Sequence, residues 1–192
     1  MRNVAVFVGS LRNGSINQKL AKALAKLGRG QFAFTFVELG DLPMFNQDLE
    51  ANLPSSVVRM KEEIVAADAV LFVTPEHNRS IPAVLKNAID WGTRPWGQNS
   101  WAGKPGSIIG TSPGNVGTAA GQAHLRSVMT VLDVVLLGQP EVYFVTTPGL
   151  IDDNDDITDD ATRQFLEGYL ARFATWIDQV TQYEEKVRQK VA

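Results

Sequence analysis

Ala69-Val70-Leu71-Phe72-Val73-Thr74-Pro75, followed by Glu76-His77-Asn78-Arg79-Ser80-Ile81-Pro82-Ala83-Val84-Leu85-Lys86-Asn87-Ala88-Ile89-Asp90, decides how this chain is read. The uninterrupted apolar run Ala69–Val73 spells a strand buried on both faces, because a half-solvated strand would alternate. It has to stop at Thr74-Pro75, since proline has no N–H to give a ladder. Ser80 is placed to N-cap a helix over Ser80–Trp91, with Pro82 in its first turn. A polar loop therefore lies at the carboxyl end of a buried strand, which is where open α/β sheets bind ligands.

The same alternation runs through the rest of the chain. Val4–Gly9 reads as a first strand, and a helix follows from Asn17 to about Leu27, with Leu20, Ala23, Leu24 and Leu27 on one face. Phe32–Leu39 alternates like a strand, and Pro54–Ala67 has helical spacing. After Ala69–Thr74 come a strand at Gly106–Gly110 and a helix at Thr118–Leu132. Val134–Leu137 with Val142–Val145 make a fifth strand or a broken pair, and Thr158–Val187 closes the chain as a long helix. Strand–helix alternation without hairpin signals implies parallel strands with helices on both faces, and right-handed crossovers restrict these to doubly wound sheets. For five strands the order 2-1-3-4-5 is expected, in one domain over residues 1–192. Its switch point lies between strands 1 and 3, which carry the two polar loops.

Composition bounds the function. The 192 residues carry a net charge of −3, which argues against a nucleic-acid partner, since that needs a basic face. There is no cysteine, which excludes disulfides, iron–sulfur clusters and thiol catalysis and fits a cytoplasmic location. The opening apolar run is too short for a secretory leader, and no window approaches the ~20 apolar residues of a membrane span.

The loop Gly9-Ser10-Leu11-Arg12-Asn13-Gly14-Ser15-Ile16-Asn17 has the parts of a phosphate cradle. Glycines permit tight turning, Ser10, Ser15 and Asn17 supply donors, Arg12 supplies charge, and the following helix offers free amides. Its glycine spacing matches neither the dinucleotide fingerprint nor a P-loop, so a phosphate monoester fits better. The same residues also suit a plain helix cap with a surface arginine. Glu76–Arg79 offers a backbone strip suited to the polar edge of a flat heterocycle.

Gly110-Thr111-Ser112-Pro113-Gly114 matches the nucleophile elbow Gly-x-Ser-x-Gly. An elbow draws an oxyanion-hole N–H from the residue after its serine, and here that residue is Pro113, which has none. The loop is read instead as a third wall of the pocket. Asp152–Asp156 with Asp159 and Asp160 fails the EF-hand pattern, because Ile157 and Arg163 occupy the glycine and glutamate positions. These acids are expected to favour the N-terminus of the last helix. Trp91, Trp96 and Trp101 cluster around a Gly/Pro-containing loop, where they either close over a ligand or pack against a neighbour, with packing the favoured reading. No metal site is expected, and the lack of catalytic side chains points to a cofactor that carries the chemistry.

Gly9-Ser10-Leu11-Arg12-x-Gly14-Ser15-x-Asn17, Thr74-Pro75-Glu76-x-Asn78-x-Ser80-Ile81-Pro82 and Leu85-Lys86-Asn87-Ala88-Ile89-Asp90-Trp91 resemble the NADPH-dependent FMN reductase family, in its chromate- and quinone-reductase branch. The resemblance implies a flavodoxin-like fold, non-covalent FMN, and NAD(P)H as the electron donor for quinones or other small-molecule acceptors. It also implies a homodimer or homotetramer. By motif position Ser10, Arg12, Ser15, Ile16 and Asn17 would hold the FMN phosphate. Pro75, Glu76, His77, Asn78 and Arg79 would line the isoalloxazine, with Ser112, Pro113 and Gly114 closing its other side; no side chain is assigned a catalytic step. Family members usually carry tyrosine at His77 and histidine or tyrosine at Arg79. Both side chains are expected to point toward the mouth. A flavodoxin-like electron carrier or regulatory flavin-binding protein is the competing reading.

Overall fold

The structure, a computed structural model, describes residues 1–191. Parallel strands β1 (Arg2–Val8), β2 (Phe32–Phe36), β3 (Ala69–Val73) and β4 (Pro105–Ser112) run in the order β2-β1-β3-β4. The fifth position is shared by two short strands. β5 (Val135–Leu136) pairs with the start of β4 at Pro105 and Gly106, and β6 (Val142–Val145) pairs with its end from Ile109 to Ser112. The order 2-1-3-4-5 is therefore present, with the last strand broken in two. Pro140, in the break, has no N–H for β4 to accept.

Helices α1 (Ile16–Leu27) and α5 (Asp160–Val191) cover one face, where Leu20, Leu24, Leu166 and Phe173 meet Val4, Val6 and Val73. Helices α2 (Ser55–Ala66), α3 (Ala83–Gly92) and α4 (Ala119–Val131) cover the other, where Met60, Leu85 and Leu125 meet Ala5, Phe7 and Phe72. Successive residues of β1 thus alternate between two cores, and both must be apolar. Burying one such side chain fully contributes about 1.5–3 kcal/mol. A 3-10 turn, Gln47–Asn52, is the one regular element the hydrophobic pattern does not announce.

Trp91 and Trp101 are fully buried, as their packing reading requires, but Trp96 projects from its loop at 87% exposure. Trp101 lies against Gly92 so closely that a Cβ there would sit 2.2 Å from the indole nitrogen, which instead donates to the Ile89 carbonyl at 3.1 Å.

Two local expectations are corrected. Ser80 does not cap α3, which starts at Ala83 after Pro82 and has no side-chain cap. The backbone N–H and C=O of Ser80 close a turn with His77, and its hydroxyl lies 2.7 Å from Nδ1 of His124, so it has no helix amide to serve. The acids of Asp152–Asp156 do not serve α5 either. Asp153 and Asp156 pair with Lys19 and Lys26 of α1, while Asp159 accepts the Thr162 N–H in the first turn of α5.

Candidate active site

β1 hydrogen-bonds to β2 on one side and β3 on the other, so the loops leaving β1 and β3 diverge and open a crevice between them. The loop after β4 forms the third wall. The cleft encloses about 460 Å³, within the usual ~300–1,000 Å³ range for small-molecule sites.

The first wall is the β1–α1 loop. Gly14 takes φ of +68°, a left-handed conformation that only glycine adopts freely, and this brings the chain round to the helix. Ser15 is the N-cap: its Oγ accepts the Gln18 N–H at 3.3 Å and keeps its own proton to donate. The amides of Ile16 and Asn17 open the helix with no acceptor inside it, at the positive end of the helix dipole. Arg12 is exposed and reaches the Gly14 carbonyl at 3.0 Å. Ser10, Arg12, Ser15, Ile16 and Asn17 all border the cleft. The side chain of Asn17, however, is engaged elsewhere: it is buried and bonded to the backbone of Thr111. Toward a ligand it offers its backbone.

The second wall is a tight turn. The His77 and Ser80 backbones exchange hydrogen bonds of 2.9 Å in both directions, and Asn78 and Arg79 between them take φ of 52° and 63°. Two central residues with positive φ define a type I′ turn. Left-handed backbone costs roughly 1–2 kcal/mol for a residue such as arginine, and strain of this kind collects at functional sites. Pro75, Glu76 and His77 line the cleft, whereas Asn78 and Arg79 sit on the turn's tip outside it. Glu76 anchors the turn, with one carboxylate oxygen accepting from Arg79 at 3.2 Å and the other from the Gly121 N–H at 3.0 Å. The Arg79 guanidinium is thus held by Glu76 beside α4, while His77 alone of the two faces the cleft.

The third wall contains the elbow-like segment. Gly110 has a packing reason, since a Cβ there would lie 2.1 Å from the Thr74 carbonyl oxygen where β3 and β4 end side by side. Ser112 Oγ accepts the Gly114 N–H at 3.0 Å. Ser112 and Pro113 line the cleft, and Gly114 lies just outside.

Gly9 and Leu11 of the cradle loop and Thr111 of the third wall also line it, as do Pro82, Ala83 and Val84, which the sequence did not mark as site residues. Gly9 and Leu11 flank residues that were singled out, but Ala83 and Val84 carry no polar mark. Thr111 is buried, and its Oγ1 has no hydrogen-bond partner among the described residues. That oxygen is sealed off from the cleft, so Thr111 borders the site with its other atoms. The open amides of α1, Arg12 and the walls Pro75–His77 and Ser112–Pro113 fit riboflavin phosphate. No group of three or more His, Asp or Glu residues able to hold a metal occurs among the described residues.

Known proteins agree with this geometry. Residues 2–148 match the family described as NADPH-dependent FMN reductase. A 2-hydroxy-1,4-benzoquinone reductase from a Burkholderia species is 49% identical over 174 residues, covering 91% of this chain and 95% of that protein. A quinone reductase from Pseudomonas putida is 46% identical, covering 91% and 94%. Among solved structures, the flavoenzyme NAD(P)H:(acceptor) oxidoreductase FerB of Paracoccus denitrificans superposes with a TM-score of 0.91 at 47% identity, covering 93% of this chain and 98% of that one. With a family match over most of its length and relatives this similar, the chain belongs to the NADPH-dependent FMN reductase family, whose members work with FMN and NAD(P)H on the flavodoxin-like fold.

Proposed function

We propose that the protein takes electrons from NAD(P)H and delivers them to quinones by a ping-pong cycle in which donor and acceptor use the same cleft in turn. The observation that carries this reading is a switch-point cleft with Arg12, Ser15 and the first amides of α1 on one wall and Pro75–His77 and Ser112–Pro113 on the others. When bound, FMN supplies the hydride chemistry. The chain supplies the rest. Arg12, the Ser15 hydroxyl and the first amides of α1 hold the phosphate. The backbone of Pro75–His77 meets polar edges of the ring, and Ser112–Pro113 close the site against water. His77 stands at the mouth, where donor and acceptor pass.

The protein is read as a cytoplasmic homodimer or homotetramer, in keeping with a cysteine-free chain of this family. The test is NADH and NADPH oxidation with 2-hydroxy-1,4-benzoquinone as acceptor. Many turnovers per bound FMN support a reductase. Retention of FMN without multiple turnover would identify an electron carrier instead.

A further inference from the structure

A second cavity of about 560 Å³ adjoins the cleft on its β2 side. Ser10, Leu11, Arg12 and Ser15 border both spaces, so the β1–α1 loop is a partition that one extended molecule could straddle. We propose that this second cavity binds the adenosine diphosphate half of the nicotinamide dinucleotide and favours NADH over NADPH. The proposal rests on the NAD(P)H-oxidising reading above.

Three features match the three parts of that group. Phe36 at the end of β2 (37% exposed) and Leu11 (58% exposed) present apolar surface in a polar cavity, as a stacked base requires. Lys22 has no ion-pair partner among the described residues, borders the cavity and can meet a pyrophosphate. Glu38 stands two residues beyond the end of β2, in the region where an acidic residue of nucleotide-binding sheets accepts from the ribose hydroxyls. One Glu38 oxygen accepts the Gly40 N–H at 2.7 Å, which fixes the carboxylate and leaves the other oxygen without a partner among the described residues.

Discrimination follows from charge. Lys19 is already paired with Asp153, so it adds little net attraction. Glu38 and Asp155 have no cationic partner among the described residues, and both line the cavity. A 2′-phosphate placed beside the ribose would bring a second anion against them, whereas a 2′-hydroxyl would donate a hydrogen bond.

Equilibrium binding of ADP-ribose and 2′-phospho-ADP-ribose to FMN-loaded and FMN-free protein tests this without turnover. ADP-ribose should bind more tightly to both forms, and Glu38→Gln should narrow the difference by about tenfold, with flavin content unchanged. The NADH-to-NADPH ratio of kcat/KM should fall in parallel, and Lys22→Ala should weaken both probes alike. Absent or equal binding of the two probes, or a preference that Glu38→Gln leaves untouched, overturns the proposal. So does FAD in the extracted cofactor, because its own adenylate would then fill the cavity. If neither nucleotide supports turnover but the ADP-ribose preference stands, the reductase reading fails and the subsite does not.

Discussion

The side-chain amide of Asn17 holds both backbone groups of Thr111, donating to its carbonyl at 2.9 Å and accepting its N–H at 3.0 Å. These residues lie in the first turn of α1 and near the end of β4, so one buried side chain sets the spacing between the first and third walls of the cleft. Asn17→Ala would strand two buried backbone groups. It should cost about 2–4 kcal/mol, a fall in Tm of roughly 4–16 °C, and release FMN even below the new Tm. Thermal melts with and without added FMN measure both effects. Unaltered stability would mean that the clamp does not form.

Arg12→Ala should weaken FMN binding by about one to two decades, because a charge-assisted hydrogen bond contributes roughly 1.5–3 kcal/mol. Arg12 is exposed and packs against nothing in the core, so the melting temperature of the FMN-free protein should hold. Ser15→Ala should act in the same direction and also loosen the α1 cap. Fluorescence titration with FMN gives the affinities; an unchanged value for Arg12→Ala would remove this loop from the phosphate site.

Ser112→Ala should retain turnover, since the hydroxyl accepts from Gly114 and Pro113 leaves no oxyanion-hole N–H. A fluorophosphonate probe should leave the wild-type protein unlabelled. Covalent labelling at Ser112 would revive a hydrolase reading.

Arg79→Ala should raise KM for an anionic acceptor more than for a neutral quinone and leave flavin content nearly unchanged. The guanidinium lies outside the cleft and is tied to Glu76, so it acts on what approaches the mouth. Flavin loss, or equal effects on charged and neutral acceptors, would place it against the flavin.

Tyr169 of α5 shares a hydrogen bond of 2.8 Å with Ser107 of β4 inside the core. Burial pushes its phenol well above the usual tyrosine range, against the smaller lowering pulls of Ser107 and Arg126. The folded protein therefore keeps a proton that the unfolded chain releases near pH ~10, so this stabilisation is present below that pH and lost as the pH rises above it. Tm should fall in that range. Tyr169→Phe should lower stability by about 1–2 kcal/mol at neutral pH, by orphaning Ser107, and should flatten the alkaline fall. Melting curves from pH 8 to 11 for both proteins decide it.

Strand and helix identities were legible along the chain because a strand covered on both faces must be apolar at every position, as Ala69–Val73 is, whereas α1 must repeat with its own period. Once the order 2-1-3-4-5 followed from the alternation, the meeting of the β1 and β3 loops followed as well, and so did most of the cleft wall. Pro113 excludes the nucleophile elbow by its identity alone, since a missing N–H is a property of the residue type. Other features depend on partners distant in sequence. Asn17 reads as a phosphate donor until Thr111, 94 residues later, takes up its amide. Ser80 reads as a cap until His77 and His124 take its polar groups. Arg79 reads as a residue of the cleft until a type I′ turn lifts it out and Glu76 holds it. A polar side chain has several possible partners, and packing, which brings remote segments together, chooses among them.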